Sequence, residues 1–360
     1  MAETIYVNKK KTKEQRRFES ELIKMNKAIN DKMQLMNSIL EKIGTQIETI
    51  DSQIGYIERQ ITPDFYIEAN NDNTTITITG LGTGVLSYSK SPSDTSSWVE
   101  LTISHGSSDY IIINSGERLY LKGNIVTDNI GEEGSITIGS NGLINVGGNV
   151  YSIADPNGEL SKDYQCYQLF IGCRSLQNAP ELPATTLTNE CYRSLFQGCV
   201  RLSAAPELPA TTLTDSCYRN LFYGCTRLTT APELPATTLA YDCYENTFYG
   251  CTSLTAAPEL PATTLTNECY QGIFYGCTSL TTAPELPATI LAEYSYNNMF
   301  YGCTSLNYVK CLATDMTATG CTTNWLKSVA STGTFVKDAN TTWSTGVDGI
   351  PSRWTIEDNV

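Results

Sequence analysis

Apolar residues near the start of the chain recur at steps of four and three. Phe18, Leu22, Met25 and Ile29 open the series. Met33, Met36, Leu40, Ile43, Ile47, Ile50, Ile54, Ile57 and Ile61 continue it. From Met33 onward the alternation is unbroken, the heptad signature of a coiled coil, with Met33 as position a. The step from Ile29 to Met33 repeats a four and reads as a stutter. Isoleucine at both a and d shifts preference from two strands toward more, so a parallel homotrimer is expected. Its trimerisation residues are Leu40, Ile43, Ile47, Ile50, Ile54, Ile57 and Ile61. Residues 18–61 would form a rod of about 65 Å at 1.5 Å per residue. The competing reading is one amphipathic helix packed on its own domain.

Beyond Pro63 the period changes to two. Alternation runs through Thr74–Thr79, Val99–Ile103, Arg118–Lys122, Ser135–Ile138 and Leu143–Val146. Breaks rich in Gly, Asn, Asp and Ser separate these runs, predicting a β-sandwich or jelly-roll-like module.

A longer period then takes over. Ala-Pro-Glu-Leu-Pro-Ala-Thr begins at Ala179, Ala205, Ala231, Ala257 and Ala283, a spacing of 26 each time. Cys173, Cys199, Cys225, Cys251, Cys277 and Cys303 keep that spacing, and a phenylalanine precedes each by three residues. A second column holds Cys191, Cys217, Cys243 and Cys269, displaced to Cys166 at the start and replaced by Ser295 at the end. A unit of this size cannot bury its own apolar face, so stacking into a solenoid is expected, with equivalent positions in ladders about 4.7–4.9 Å apart. Leu, Phe and Cys columns would point inward. The period fails after Asn307, where Trp325, Trp343 and Trp354 suit a terminal cap. The expected organisation is therefore a basic tip and rod at 1–61, a β-rich module at 62–160, the repeats at 161–306 and the cap at 307–360.

Composition narrows the chemistry. The 360 residues carry 24 Lys+Arg against 38 Asp+Glu, a formal charge of −14, which argues against nucleic acid as a partner. Residues 1–62 hold 11 basic and 9 acidic side chains (+2), so the remainder carries −16. Lys9, Lys10, Lys11, Lys13, Arg16 and Arg17 crowd the helix start, where cations oppose the helix dipole, and form a candidate anchor on an acidic partner. A solvated charge run is the bland alternative. No apolar run suits a secretory signal of the usual kind or a membrane span. Synthesis in a reducing cytosol favours buried thiols over disulfides for the 13 cysteines, although rung spacing lies within disulfide reach. No Cys-x-x-Cys pair occurs, which disfavours zinc, and no cofactor or metal is assigned. His105 is the only histidine and receives no role.

Two outward columns are candidates for ligand contact. Tyr223, Tyr249, Tyr275 and Tyr301 would form an aromatic surface for protein or glycan, or a cover over the Phe column. Glu181, Glu207, Glu233, Glu259 and Glu285 would stack as like charges, serving Ca²⁺ or a cationic partner, or a solvated edge. Identical repetition of the glutamate speaks against catalysis, because two carboxylates doing different work need different environments.

The pattern Leu-x-x-Ala-Pro-Glu-Leu-Pro, then Cys-Tyr, then Phe-Tyr-Gly-Cys-Thr-Ser-Leu resembles the BspA-like class of leucine-rich repeats. It departs from that class by its extra Pro-Glu-Leu-Pro segment. The stretches Ser115–Asn124 and Trp325–Phe335 are similar to the same group. The resemblance covers about residues 62–360. It implies a leucine-rich-repeat fold and surface attachment, as in surface proteins of gut Bacteroidales and in fibre proteins of their crAss-like phages. The expectation is a structural virion fibre of the head or tail. It would be a homotrimer assembled in the host cytoplasm, anchored by its N-terminus to a capsid or tail protein, displaying repeats to a host glycan or protein. A bacterial cell-surface adhesin is the alternative, and a glycan hydrolase ranks last.

Overall fold

A computed structural model describes residues 13–61, 65–126, 136–154 and 162–359. The chain divides into two compact units, 1–58 and 59–360.

The first unit is dominated by helix α1, Lys13–Ile61. Its periodic apolar side chains lie open: Phe18 is 68% exposed, Met25 57% and Leu40 58%, and Ile43 is exposed with them. A heptad seam needs a facing helix to supply its holes. The only other α-helix among the described residues, α2 (Tyr151–Ala154), has four residues. The expected trimeric coiled coil is therefore corrected to one long helix, with no facing helix among the described residues. The side chains of Ile47, Ile50, Ile54, Ile57 and Ile61 lie outside the described residues.

In the second unit, period-two runs form strands where alternate residues face a shared core. Strands β1 (Tyr66–Ala69), β2 (Thr74–Gly80), β3 (Thr83–Ser89) and β4 (Val99–Ile103) are followed by β5 (Ser108–Ile113) and β6 (Arg118–Val126). Strands β7 (Ile136–Ser140) and β8 (Ile144–Gly147) complete the series. β2 shows the logic: Thr74, Ile76 and Ile78 are buried while Thr75, Thr77 and Thr79 are only partly so. β5, β2 and β7 make a three-stranded sheet. The larger sheet runs β4-β3-β6-β1-β8 and then takes in β9 (Leu176–Asn178), the start of the repeats, parallel to β8. The β segment is thus not a sandwich standing apart, because its larger sheet continues into the first repeat. Phe65 also stacks on Phe170 of that repeat, with ring centroids 6.4 Å apart.

The repeats depart further from expectation. No sheet runs through them: strands occur at β9 and again at β10 (Thr282–Leu286), with isolated bridges such as Asn178 to Ala204 and Ala204 to Thr230 between. The 26-residue units instead stack through runs of turns. Ser216, Tyr218, Asn220, Phe222 and Gly224 each donate their N–H to the next unit, at Tyr241, Cys243, Glu245, Thr247 and Tyr249. The residues between them bond locally, as Arg219 does to Ser216 and Leu221 to Tyr218. Every fourth residue adopts the left-handed region: Ser216 at φ 52°, Asn220 at φ 55° and Gly224 at φ 71°. That geometry breaks a pleat, and the paired prolines lack ladder donors. The expected β-laddered leucine-rich-repeat solenoid is therefore corrected to a stack of turn-rich units.

The interior of this stack is columnar. Leu202, Leu228, Leu254 and Leu280 are fully buried. Phe196, Phe222, Phe248 and Phe274 stack at 5.6–5.7 Å between centroids. Tyr192, Tyr218, Tyr244 and Tyr270 form a second buried column that ends, through Tyr296, on Trp325. All 13 cysteines are buried with free thiols. Burial pushes the Cys225 and Cys303 thiols up to about 12, so they keep their protons. Those protons are used: Cys199, Cys225, Cys251, Cys277 and Cys303 each donate to a phenylalanine carbonyl of the preceding unit at 3.0–3.2 Å.

At the far end β10, β11 (Tyr308–Cys311), β12 (Thr334–Asp338) and β13 (Thr355–Asn359) form a parallel sheet in that order. Trp325 and Trp343 stack there at 5.2 Å and close the aromatic column. No helix among the described residues is long and apolar enough to cross a membrane.

Candidate functional site

The residue before each Gly-Cys follows directly on a buried phenylalanine and faces outward. Tyr223, Tyr249, Tyr275 and Tyr301 are half-buried and lie ring over ring. Centroids are 4.4, 4.3 and 4.6 Å apart, with planes within 7° of parallel. The glycine after each tyrosine makes this possible: Gly224 at φ 71° and Gly250 at φ 69° sit in the left-handed region that a larger residue resists. Burial, followed by hydrogen bonding and repulsion from its neighbours' phenols, holds the Tyr249 hydroxyl in its neutral form well past its usual range. Lys327 closes the row, its ammonium 5.3 Å from the Tyr301 centroid. The result is a ladder of ring edges and hydroxyls with a cation at one end, suited to hydrogen-bonding and edge contacts with a polar ligand or protein surface.

Glu207, Glu233 and Glu259 are exposed along the Pro-Glu-Leu-Pro segments. Glu285 is also exposed and meets Lys310 at 3.1 Å. The sole group of carboxylates close enough to share a cation among the described residues lies elsewhere, at Asp242, Glu245 and Glu268. Burial first, then hydrogen bonding and repulsion from Glu245, push Asp242 up to about 8, against the pull of Arg219. Sequence reading passed over this group, although its signal is visible. Asp-Cys-Tyr-Glu at 242–245 replaces the Glu-Cys-Tyr-Arg and Ser-Cys-Tyr-Arg of the two preceding units.

A polar cleft of about 560 Å³ opens where the β segment meets the first repeats, lined by Asn71, Asn141, Arg174 and Arg201 among others. The carbonyl oxygens of Asn71 and Asn141 accept backbone N–H groups of Leu143 and Thr75, at 3.2 and 2.8 Å. Their amide hydrogens and the two guanidinium groups give the cleft a surplus of donors.

Of the expected anchor, Lys13 is exposed and Arg17 pairs with Glu21 at 3.4 Å along the helix. Lys9, Lys10 and Lys11, and the side chain of Arg16, lie outside the described residues. No family model, curated protein or solved structure matches the chain.

Proposed function

We propose that this chain is a structural, non-enzymatic attachment protein of the BspA-like repeat kind, serving as a fibre on a bacteriophage virion. In this reading it assembles in the host cytoplasm as a homotrimer. Its basic N-terminal segment holds it to a capsid or tail protein, and its repeats meet a host glycan or surface protein. The observation that carries the reading is the outward tyrosine strip, four parallel rings at 4.3–4.6 Å spacing. Such a strip offers many equivalent weak contacts, and three copies would multiply them. The donor-rich cleft beside Arg174 and Arg201 supports a polar, glycan-like ligand over an apolar one.

Binding of labelled protein to intact host cells and to a glycan array tests attachment. Tyr223→Ala with Tyr249→Ala and Tyr275→Ala lowers retention at least tenfold if the strip is the contact, while the fold persists. Unchanged retention overturns it. Immunogold labelling of purified virions and of uninfected cells separates the fibre from the alternative, a bacterial surface adhesin. Light scattering gives the assembly state, with three times the 39.5 kDa chain mass expected.

A further inference from the structure

Asp242 and Glu245 stand in columns that other units fill differently. The first column reads Glu190, Ser216, Asp242, Glu268, Tyr294, and the second Arg193, Arg219, Glu245, Gln271, Asn297. Only the unit with Asp242 places an acid in both. In an earlier unit Glu190 is balanced by its own Arg193 at 2.5 Å. Here one arginine serves two acids: Arg219 reaches Asp242 Oδ2, and its Nε lies 3.0 Å from Glu245 Oε2. Glu268, from the following unit, adds a third carboxylate. Three carboxylates and one guanidinium sum to −3 + 1 = −2 when all are ionised.

The remaining oxygens are sorted. Ser216 Oγ donates to Asp242 Oδ2 at 3.1 Å, alongside Arg219. Asn246 and Gln271 donate to Glu245 Oε1 at 3.0 and 3.1 Å. Tyr241 donates to Glu268 Oε1 at 3.2 Å. One oxygen of the fully buried acid is left over: Asp242 Oδ1 is buried without a hydrogen-bond partner, while Glu245 Oε2 has only its ion pair with Arg219. Asp242 is 0% exposed. An unpartnered carboxylate oxygen at that depth is expensive, whereas a metal ion satisfies it.

We propose that Asp242, Glu245 and Glu268 form a calcium-type divalent cation site that clamps two successive units of the stack. A ligand atom from each residue lies within 4.8 Å of the others, the spread reached by oxygens about 2.4 Å from one shared ion. All donors are hard oxygens, which suit calcium over zinc or copper. Glu268 is only half-buried and leaves a side from which water completes the shell. Ser216, Asn246, Gln271 and Tyr241 are the outer partners that fix the carboxylates. The site does not depend on the attachment reading.

Terbium, a calcium stand-in, tests this with the full chain, because Tyr241 on Glu268 is placed to sensitise its emission. The comparison variant is Asp242→Ser with Glu245→Arg, which restores the residues of the preceding unit and so preserves the stack. The wild type should show tyrosine-sensitised terbium emission that calcium displaces. After chelation, its melting temperature should rise by about 5 °C at calcium a hundredfold above its dissociation constant. The folded variant should lose both responses, with its emission down at least tenfold. Absence of both responses in the wild type overturns the proposal, as does their survival in the variant. A wild-type stability that follows pH but ignores calcium also overturns it, since the carboxylates then hold only a proton.

Discussion

Helix α1 and the stacked units both carry long apolar periods, yet only one of them buries what its period offers. Phe18 and Met25 of α1 are more than half exposed, while Phe222 and Leu228 are fully buried. The difference lies in where the facing surface comes from. Each stacked unit meets a near-copy of itself 26 residues away, so the chain supplies its own complement. A heptad row has no such internal partner.

Substitutions should divide along that line. The largest effect is expected from Phe222→Ala, which empties a slot in a continuous ring column and should cost about 3–5 kcal/mol in urea unfolding. pH should come next. With chelator present, stability should fall as pH rises from about 4 to about 8, because native Asp242 keeps its proton through that window while the unfolded residue releases it near 3.8. The groups facing Asp242 in this window are Glu245, Glu268, Arg219 and Ser216, and Asp242→Ser with Glu245→Arg should flatten the slope. Cys251→Ala, which removes a buried thiol and its bond to the Phe222 carbonyl, should cost about 1–2 kcal/mol. Asn220→Ala should cost about 1 kcal/mol and Asn220→Gly should not, since φ there is 55°. Leu22→Glu with Met33→Glu on α1 should leave the main unfolding transition within about 0.5 kcal/mol. A loss of several kcal/mol from that last pair would erase the contrast.

Legibility in the sequence followed the same physics. Val99–Ile103 was readable as a strand because polar and apolar residues alternate, and it is β4. β5 was not, because Tyr110 and Ile112 face solvent while Ile111 and Ile113 are buried, so apolar residues on both faces mask the alternation. The 26-residue period and its inward Leu, Phe and Cys columns were visible. The turn geometry was not, since Ser216 and Asn220 carry no left-handed signature as strong as glycine's. The tyrosine strip was legible from spacing alone. The carboxylate group was less legible, because the Pro-Glu-Leu-Pro glutamate repeats with the period whereas Asp242 and Glu245 carry their signal by failing to repeat.

The unit-to-unit hydrogen bonds of the turn segments point one way. In the turn segments, such as 216–224, each unit gives N–H groups to its successor, whereas Thr237 returns one to Thr211 outside them, so the peptide dipoles align along the axis only within the turn segments. The early end thereby offers acceptors, and Ile138 of β7 fills one by donating to Leu169. The late end offers donors, and the Asp348 carboxylate meets the Asn324 N–H there at 2.7 Å. Polarity of this kind makes the array extensible in its middle but not reversible: a cloned extra unit should slot between two neighbours, whereas exchanging the two ends would set donor against donor.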